Sequence, residues 1–383
     1  MNQQRKLAAD KILETNPVSA VIFWRPEELV MMLGYYPLWG LSFLVYTNDG
    51  KPVLFVPQAE PNDILPAAVE IRKFPWGKLS NSNPWDVLFS EIKLLLKERK
   101  ILNNSFSFIS EMSAVSPCRM SGESPHLPGD LMRRLLQLTE SGFKNIDEEL
   151  LQLFQYKTDD DIVCIKQAHK VAAKAVTVFY EHAVPGISEA RLASLIEATV
   201  SMTMEEGGVF FARAWPMVQS GINAAAGGVF NRTTAKQLKQ GELVMLEMAL
   251  CVNGYWVDIT RTAKVGAISA KQNEMYDIVK KAQQLAIQQI APGETMRAID
   301  AIARNYIKDA GYGEYFNHAL GHQVGFRYHD PGPGLSPYSN GILKKGMVLT
   351  VEPGIYGAAL GAGVRIEDNV LVTEKGFEIL SAY

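Results

Sequence analysis

The first part of the chain alternates short apolar runs with amphipathic stretches. Three of the apolar runs have the length and composition of β-strands: Ala20–Trp24, Leu41–Tyr46 and Pro52–Val56. The second and third runs flank Asn48-Asp49-Gly50, which is typical of a tight turn between strands. Helical periodicity follows around residues 91–97 and 131–138. This pattern predicts an α/β domain over residues 1–155.

A different pattern begins near residue 157. The three acids Asp159–Asp161 favour the start of a helix, because carboxylates there cap free N–H groups and meet the positive end of the helix dipole. Helical spacing then places the apolar residues on one face: Ile162, Ile165, Ala168, Val171, Ala172 and Ala175. We therefore place the start of a second domain at residue 156 and its end at residue 383.

This second domain contains two similar segments, AVPGIS at 183–188 and IAPGET at 290–295. Each follows one long helical pattern and precedes another, with Ser188 and Thr295 as the predicted N-caps. Strand-like sequence follows each helix pair, over residues 209–265 and 316–381. Two repeated halves would enclose a cleft, where ligands commonly bind. Coincidence is the alternative, since Pro-Gly turns often join helices.

Two carboxylates fall inside the most apolar segment of this domain, residues 244–262. Asn253-Gly254 predicts a tight hairpin between its two strands. This pairing places Asp258 opposite Ala249, with Glu247 on the same face. Buried carboxylates are costly unless a cation or a partner neutralises them. An edge hairpin with both acids facing water is the alternative, which the apolar neighbours disfavour.

Three of the six histidines lie within the twelve residues HALGHQVGFRYH, namely His318, His322 and His329. A helical H-x-x-x-H zinc pair is one interpretation. Gly321 and Gly325 instead favour a strand and a loop. Histidines clustered beside glycines, which allow close approach, indicate a functional site.

Two further acids, Glu352 and Glu367, interrupt apolar β-like runs within residues 348–372. Arg365 could neutralise one of them in a structural ion pair. Thr260, on the same hairpin face as Asp258, could hold a carboxylate oxygen. Spacing alone does not select a ligand set from these residues.

Composition limits the functional classes. A chain of 383 residues that is 47% hydrophobic has material for two cores. Its net charge of −3 creates no field that would attract nucleic acid or an anionic membrane, and no apolar run predicts a membrane span. The three cysteines are far apart, which favours a reducing compartment and excludes a thiolate metal site. No apolar signal core is present near the N-terminus, so a cytoplasmic protein is expected.

Five segments resemble the creatinase/prolidase-type metallopeptidase family, which includes prolidases, proline-specific and methionine aminopeptidases, and creatinase. They occur in the family's order: YKTDDDIVCIKQA, GYWVDITRT, GHQVGF, VEPGIY and VRIED. The resemblance covers nearly the whole chain. It implies an α+β protein with a creatinase-type α/β N-terminal domain over residues 1–155 and a pita-bread catalytic domain over residues 156–383.

The resemblance also implies a centre with two divalent metal ions. Asp258 and Glu367 would bridge the ions, Glu352 and His322 would each bind one, and Glu247 would take the remaining ligand position. Such an oxygen-rich set suits Mn²⁺, Fe²⁺ or Co²⁺. We expect Mn²⁺, with Co²⁺, Fe²⁺ or Zn²⁺ as alternatives.

The catalytic residues implied by the resemblance are His318, His329 and Glu352. The histidines would contact substrate or move protons, and Glu352 would also serve as general base or acid. Arg365 would support the bridging Glu367. The expected reaction is hydrolysis of a small peptide-like substrate of the Xaa-Pro type by a metal-activated water, in a homodimer.

Two positions depart from the family pattern. Glu247 stands where an aspartate is usual, and Phe230, 17 residues earlier, stands where a histidine is usual. These departures motivate two alternatives, a creatinase-like C–N hydrolase or lyase acting on a small metabolite, and a non-catalytic family member.

Overall fold

A computed structural model describes residues 1–76, 83–112, 122–123, 128–226 and 233–383. These residues form two compact units. The first contains residues 1–76, 83–112 and 128–154, and the second contains residues 122–123 and the described residues after 154. No helix in the described ranges has the length and apolarity needed to cross a membrane.

The first unit is built on a five-stranded mixed sheet. Its strands are β1 (Ala20–Phe23), β2 (Phe43–Thr47), β3 (Val53–Pro57), β4 (Glu70–Phe74) and β5 (Phe106–Ser107), in the order β4-β3-β2-β1-β5. Its helices are α1 (Gln3–Thr15), α2 (Pro26–Leu33), α3 (Pro84–Glu98), α4 (Gly129–Leu136) and α5 (Asp147–Gln155). The three predicted strands are confirmed, and the turn at Asn48–Gly50 joins two of them.

The second unit contains four long helices in its described part: α6 (Asp159–His182), α7 (Glu189–Met202), α8 (Ala270–Ile287) and α9 (Met296–Ile307). One sheet has the order β6-β7-β8, from β6 (Ala212–Ser220), β7 (Leu243–Val252) and β8 (Tyr255–Lys264). A second has the order β10-β9-β11-β14-β15, from β9 (Gly321–Gln323), β10 (Asp330–Leu335), β11 (Val348–Val351), β14 (Asp368–Val372) and β15 (Phe377–Ile379). A separate hairpin joins β12 (Gly354–Gly357) to β13 (Ala362–Arg365).

Helix α6 begins at Asp159 as predicted, but its cap differs from the prediction. Thr158 is the N-cap, and its hydroxyl lies 3.3 Å from the backbone nitrogen of Asp161. Asp161 returns the contact by accepting from the Thr158 backbone N–H at 2.8 Å. This reciprocal capping box satisfies two free donors at once, which explains why a threonine with an acid three residues later starts the helix.

The internal repeat is present in the structure. Ser188 caps α7 and forms a bridge to Gln237, and Thr295 caps α9 and forms a bridge to Ile342. In one half the Gly186 N–H donates to the Leu238 carbonyl, and in the other the Gly293 N–H donates to the Leu343 carbonyl, each at 2.9 Å. These leucines directly follow the two bridged residues. The two segments are therefore structurally equivalent, and coincidence is excluded.

The β7–β8 hairpin has the predicted register. Asn253 and Gly254 both have positive φ, 51° and 89°, as a two-residue hairpin turn requires. Ala249 pairs with Asp258, and Glu247 pairs with Thr260. Strand β7 lies between β6 and β8 and is buried along its whole length, so the water-facing edge hairpin is wrong.

We predict that Gly321→Ala destabilises the second unit, because a Cβ there would lie 2.0 Å from the backbone oxygen of Thr350. The strands beside His322 cannot separate without breaking their hydrogen bonds. The free energy of unfolding should fall by about 1–3 kcal/mol or more in chemical denaturation. Gly376→Ala is the matched control, since its Cβ would meet nothing within 4 Å. Equal stability of the two variants would contradict the prediction.

Candidate metal centre

Five side chains from three strands and two strand ends converge in the second unit. They are Glu247 on β7, Asp258 on β8, His322 on β9, Glu352 after β11, and Glu367 between β13 and β14. Their ligand atoms form overlapping groups within 4.8 Å, Glu247–Asp258–Glu367 and His322–Glu352–Glu367. A third such group joins His329 to Asp258 and His322. The structure thus brings together all five residues of the implied ligand set.

Backbone contacts between strands hold two of the acids in place. The Glu367 N–H donates to the Thr260 carbonyl at 3.1 Å, and the Glu352 N–H donates to the Leu320 carbonyl at 2.8 Å. Arg261 reinforces the first contact by donating to Asp368 at 3.0 Å and to the Ser381 carbonyl at 2.7 Å. These two acids, which lie just outside strands, are therefore positioned by backbone hydrogen bonds to neighbouring segments.

Asp258 and Glu367 each keep one oxygen without a hydrogen-bond partner among the described residues. These atoms are Asp258 Oδ1 and Glu367 Oε1, both buried. An unpaired buried carboxylate oxygen is strongly unfavourable. Burial, followed by repulsion from the neighbouring acids, raises the pKa of both groups well above the ordinary range. Two unpaired oxygens beside an imidazole fit the requirements of a divalent cation.

His322 is arranged as a neutral ligand. Its Nδ1 lies 3.0 Å from the Gln323 carbonyl, which can only accept, so Nδ1 carries the hydrogen. Its Nε2 lies 3.2 Å from Asp258 Oδ2 and 3.5 Å from Glu352 Oε1. Burial, together with the nearby His329, lowers the pKa of His322 to about 3. A backbone contact that fixes the ring in this way is typical of metal-binding histidines.

Glu352 keeps a proton more readily than an ordinary glutamate. Burial raises its pKa to about 8, against the attraction of Arg365 and with a further increase from the charge of Glu247. Its Oε1 accepts from the Thr350 hydroxyl at 3.0 Å, and its Oε2 lies 3.9 Å from Arg365 Nε.

Glu247 differs from the other acids because both of its oxygens are engaged. Oε1 accepts from the Tyr328 hydroxyl at 2.5 Å, and Oε2 accepts from Arg365 Nη2 at 2.5 Å and from the Thr260 hydroxyl. Burial acts to raise the pKa of Glu247, but Arg365 and the two hydroxyl contacts hold it below its usual value. Glu247 is therefore charged and already neutralised by a guanidinium.

Arg365 lies close to Glu367 but makes its shortest contacts with other groups of the cluster. Arg365 forms its ion pair with Glu247, and its Nε donates to the Thr260 hydroxyl at 2.8 Å. That hydroxyl in turn lies 2.7 Å from Glu367 Oε2. Thr260 thus links the guanidinium to Glu367, and the charge of Arg365 partly offsets the rise in the pKa of Glu367. A supporting role of Arg365 for Glu367 stays a prediction.

The two remaining histidines, His318 and His329, each have a defined hydrogen-bond partner near the cluster. His318 Nε2 is 3.0 Å from the Tyr356 hydroxyl, and burial lowers the pKa of His318 to about 4. The ring of His329 lies 4.5 Å from that of His322, measured between centroids, and its Nδ1 contacts Glu123 at 2.8 Å. The predicted strand and loop over this segment are confirmed, so the helical zinc pair is wrong.

Sequence reasoning missed three residues that contact the centre. The Tyr356 hydroxyl, which contacts His318, accepts a hydrogen bond from Arg365 Nη1 at 3.1 Å. Its position in the VEPGIY segment could have indicated that it lies near the site. Tyr328 stands beside His329, and a tyrosine in so apolar a segment needs a partner for its hydroxyl. Glu123 gave no local signal. Phe230, the second departure from the family pattern, lies outside the described residues.

A repeated α+β unit that buries such a carboxylate–histidine cluster defines a pita-bread hydrolase. The sequence model for metallopeptidase family M24 matches residues 163–374. The Xaa-Pro dipeptidase of Pyrococcus furiosus is 33% identical over 97% of this chain and 95% of its own length. The chain therefore belongs to metallopeptidase family M24.

Solved structures show the same fold over the whole chain. Prolidase from Pyrococcus furiosus superposes with a TM-score of 0.79 at 30% identity, covering 98% of this chain and 99% of its own. The Xaa-Pro dipeptidase from Bacillus anthracis superposes with a TM-score of 0.81 at 25% identity, covering 99% and 97%. The expected α+β fold and the family resemblance are confirmed.

We predict that the chelated, metal-free protein loses stability as the pH rises from about 7 to about 8. Glu352 in the folded state retains a proton that the unfolded chain has released, so raising the pH through its folded-state pKa of about 8 favours unfolding. The raised pKa values of Asp258 and Glu367 act in the same direction. The buried neutral histidines oppose this trend only below about pH 6.5, the ordinary histidine pKa.

Denaturant titrations at the two pH values measure this effect. The free energy of unfolding should fall by about 1 kcal/mol for each retained proton. Glu352→Gln should make the decrease smaller, whereas Glu378→Gln, an exposed glutamate, should not. A stability that is flat or rises over this interval would show that the acids are not protonated in the metal-free fold.

Proposed function

We propose that the protein is a two-metal hydrolase of the Xaa-Pro dipeptidase type. The observation that carries this proposal is the pair of buried oxygens on Asp258 and Glu367, beside His322 and Glu352, for which the described residues provide no hydrogen-bond partner. Relatives that match the whole chain are named Xaa-Pro dipeptidase or prolidase, which supports the same substrate class.

Asp258 and Glu367 would hold both ions, with His322 and Glu352 completing the site of one and Glu247 that of the other. Mn²⁺ suits this set of carboxylate oxygens and one imidazole. Divalent ions bound here lower the pKa of a water molecule and polarise the scissile carbonyl.

Two ions at this site would be bound unequally. An ion on the Glu247 side competes with the charge of Arg365 and with the Tyr328 hydroxyl, whereas an ion on the other side meets oxygens that have no partner. We therefore expect one tight and one weak site.

Side chains of the cluster would carry out the proton transfers of the reaction. Glu352, whose Oε1 lies 3.5 Å from His322 Nε2 within the cluster, would take a proton from the attacking water and pass it to the leaving imino nitrogen. His318, held by Tyr356, and His329, held by Glu123, lie at the edges of the cluster, where they can contact substrate.

The proposal also includes the oligomeric state and the compartment. We propose a homodimer, tested by light scattering, and a cytoplasmic location, which the unpaired thiols of Cys164 and Cys251 support.

The first test is metal content combined with a panel of Xaa-Pro dipeptides. We expect the wild type to bind about two Mn²⁺ per chain and to hydrolyse Xaa-Pro dipeptides, with activity lost on chelation. Glu352→Gln should lower kcat by about 10²–10⁴-fold, because it removes the proton-transfer group. Glu378→Gln is the exposed control and should behave as the wild type.

Other outcomes are equally informative. Failure to bind metal at millimolar concentration would reject the proposal. Metal binding with turnover of another C–N bond, but of no Xaa-Pro dipeptide, would support the creatinase-like alternative.

A second prediction concerns the weak site. Tyr328→Phe removes the hydroxyl bonded to Glu247 Oε1 and frees that oxygen for a cation. A hydrogen bond to a charged group contributes about 1.5–3 kcal/mol, so the second Mn²⁺ should bind about 10- to 100-fold more tightly. Calorimetric titration measures both affinities, and exposed Tyr306→Phe is the control. An unchanged second affinity would show that Tyr328 does not compete with the metal.

A further inference from the structure

We propose that Glu123 is a positioning residue for His329. It fixes the ring orientation and places the hydrogen on Nδ1, so that Nε2 is the nitrogen left to act at the metal centre. The catalytic meaning of this inference rests on the function proposed above, but the state of the ring can be measured without it.

Both oxygens of Glu123 contact His329. Oε1 accepts the backbone N–H of His329 at 2.6 Å, and Oε2 lies 2.8 Å from its Nδ1. Both side chains are almost fully buried, with 2% of Glu123 and 5% of His329 exposed. One carboxylate therefore holds the main chain and the ring of the same residue.

This arrangement determines which ring nitrogen carries the hydrogen. A carboxylate oxygen can only accept, so Nδ1 must donate. In the neutral ring Nε2 then presents a lone pair. His329 shares a 4.8 Å cluster with Asp258 and His322, and Nε2 is its nitrogen not bonded to Glu123.

A purely structural role, in which Glu123 only fixes the loop that carries His329, is less consistent with the contacts. Asp330 already fixes this loop by accepting the backbone N–H groups of Arg327 at 2.8 Å and Phe326 at 3.3 Å. Asp330 also forms a fully buried ion pair with Lys157 at 2.8 Å. Glu123 adds contacts to both the backbone N–H and the imidazole of His329, and of these two it is the imidazole contact that sets the ring tautomer.

Glu123→Gln separates the two roles because the change is isosteric. The backbone N–H of His329 must meet an acceptor, so the amide oxygen takes the place of Oε1. The amide NH₂ then faces Nδ1 and donates to it, which moves the ring hydrogen to Nε2. Replacing an orienting carboxylate with an amide selects the wrong histidine tautomer in this way.

The measurement is NMR of the metal-free protein labelled with ¹⁵N-histidine. With six histidines in the chain, His329→Gln identifies the His329 signals by their loss. At about pH 8, where an ordinary imidazole is neutral, we expect the Nδ1–H tautomer in the wild type and in Glu123→Asp. Glu123→Gln should show the Nε2–H tautomer.

Steady-state kinetics on an Xaa-Pro dipeptide provide the second readout. Glu123→Gln should lower kcat at least about tenfold with a smaller effect on KM, and Glu123→Asp should recover part of the loss. Glu378→Gln is the control.

An Nε2–H tautomer in the wild type overturns the inference, and so does an unchanged tautomer in Glu123→Gln. If the glutamine variant does not fold, the tautomer of His329 in the wild type still tests the inference. Absence of Xaa-Pro hydrolysis in the wild type would reject the proposed function, while the tautomer would still test the role of Glu123.

Discussion

The burial of several carboxylates at one point is the constraint on which the second unit depends. Arg365 neutralises Glu247, but Asp258 and Glu367 retain oxygens for which the described residues offer no hydrogen-bond partner. In the absence of a cation, protonation reduces the electrostatic penalty, which is why the pKa values of these acids are raised. The same oxygens make the site suitable for divalent ions.

The internal repeat explains how the acids come together. Glu247 and Glu352 each lie ten residues after the residue that bridges to a helix cap, Gln237 in one half and Ile342 in the other. The two repeated halves thus place Glu247 and Glu352 at equivalent positions, but the residues around these two carboxylates differ. Glu247 is held by an arginine and a tyrosine, whereas Glu352 has a pKa of about 8. A symmetric fold therefore supports an asymmetric centre with two distinct roles.

The histidines of the site are held by hydrogen-bond partners outside the ligand set. The Gln323 carbonyl orients His322, Tyr356 holds His318, and Glu123 contacts both the ring and the backbone of His329. The Nδ1 atoms of His318 and His322 each face the carbonyl of the next residue, whereas that of His329 faces a carboxylate. Each of these oxygens can only accept, so in all three rings the hydrogen lies on Nδ1 and Nε2 faces other groups.

Local signals in the sequence determined the elements and one half of the site. The turn at Asn253-Gly254 set the register that places Asp258 and Glu247 on one face, because a two-residue turn leaves no freedom in pairing. Ser188 and Thr295 likewise marked their helix starts through contacts within three residues. The pairing of Arg365 with Glu247 and of Glu123 with His329 joins residues 118 and 206 positions apart. Hydrophobic periodicity carries no information over such separations, so only the packed tertiary structure decided which acid is neutralised and which histidine is oriented.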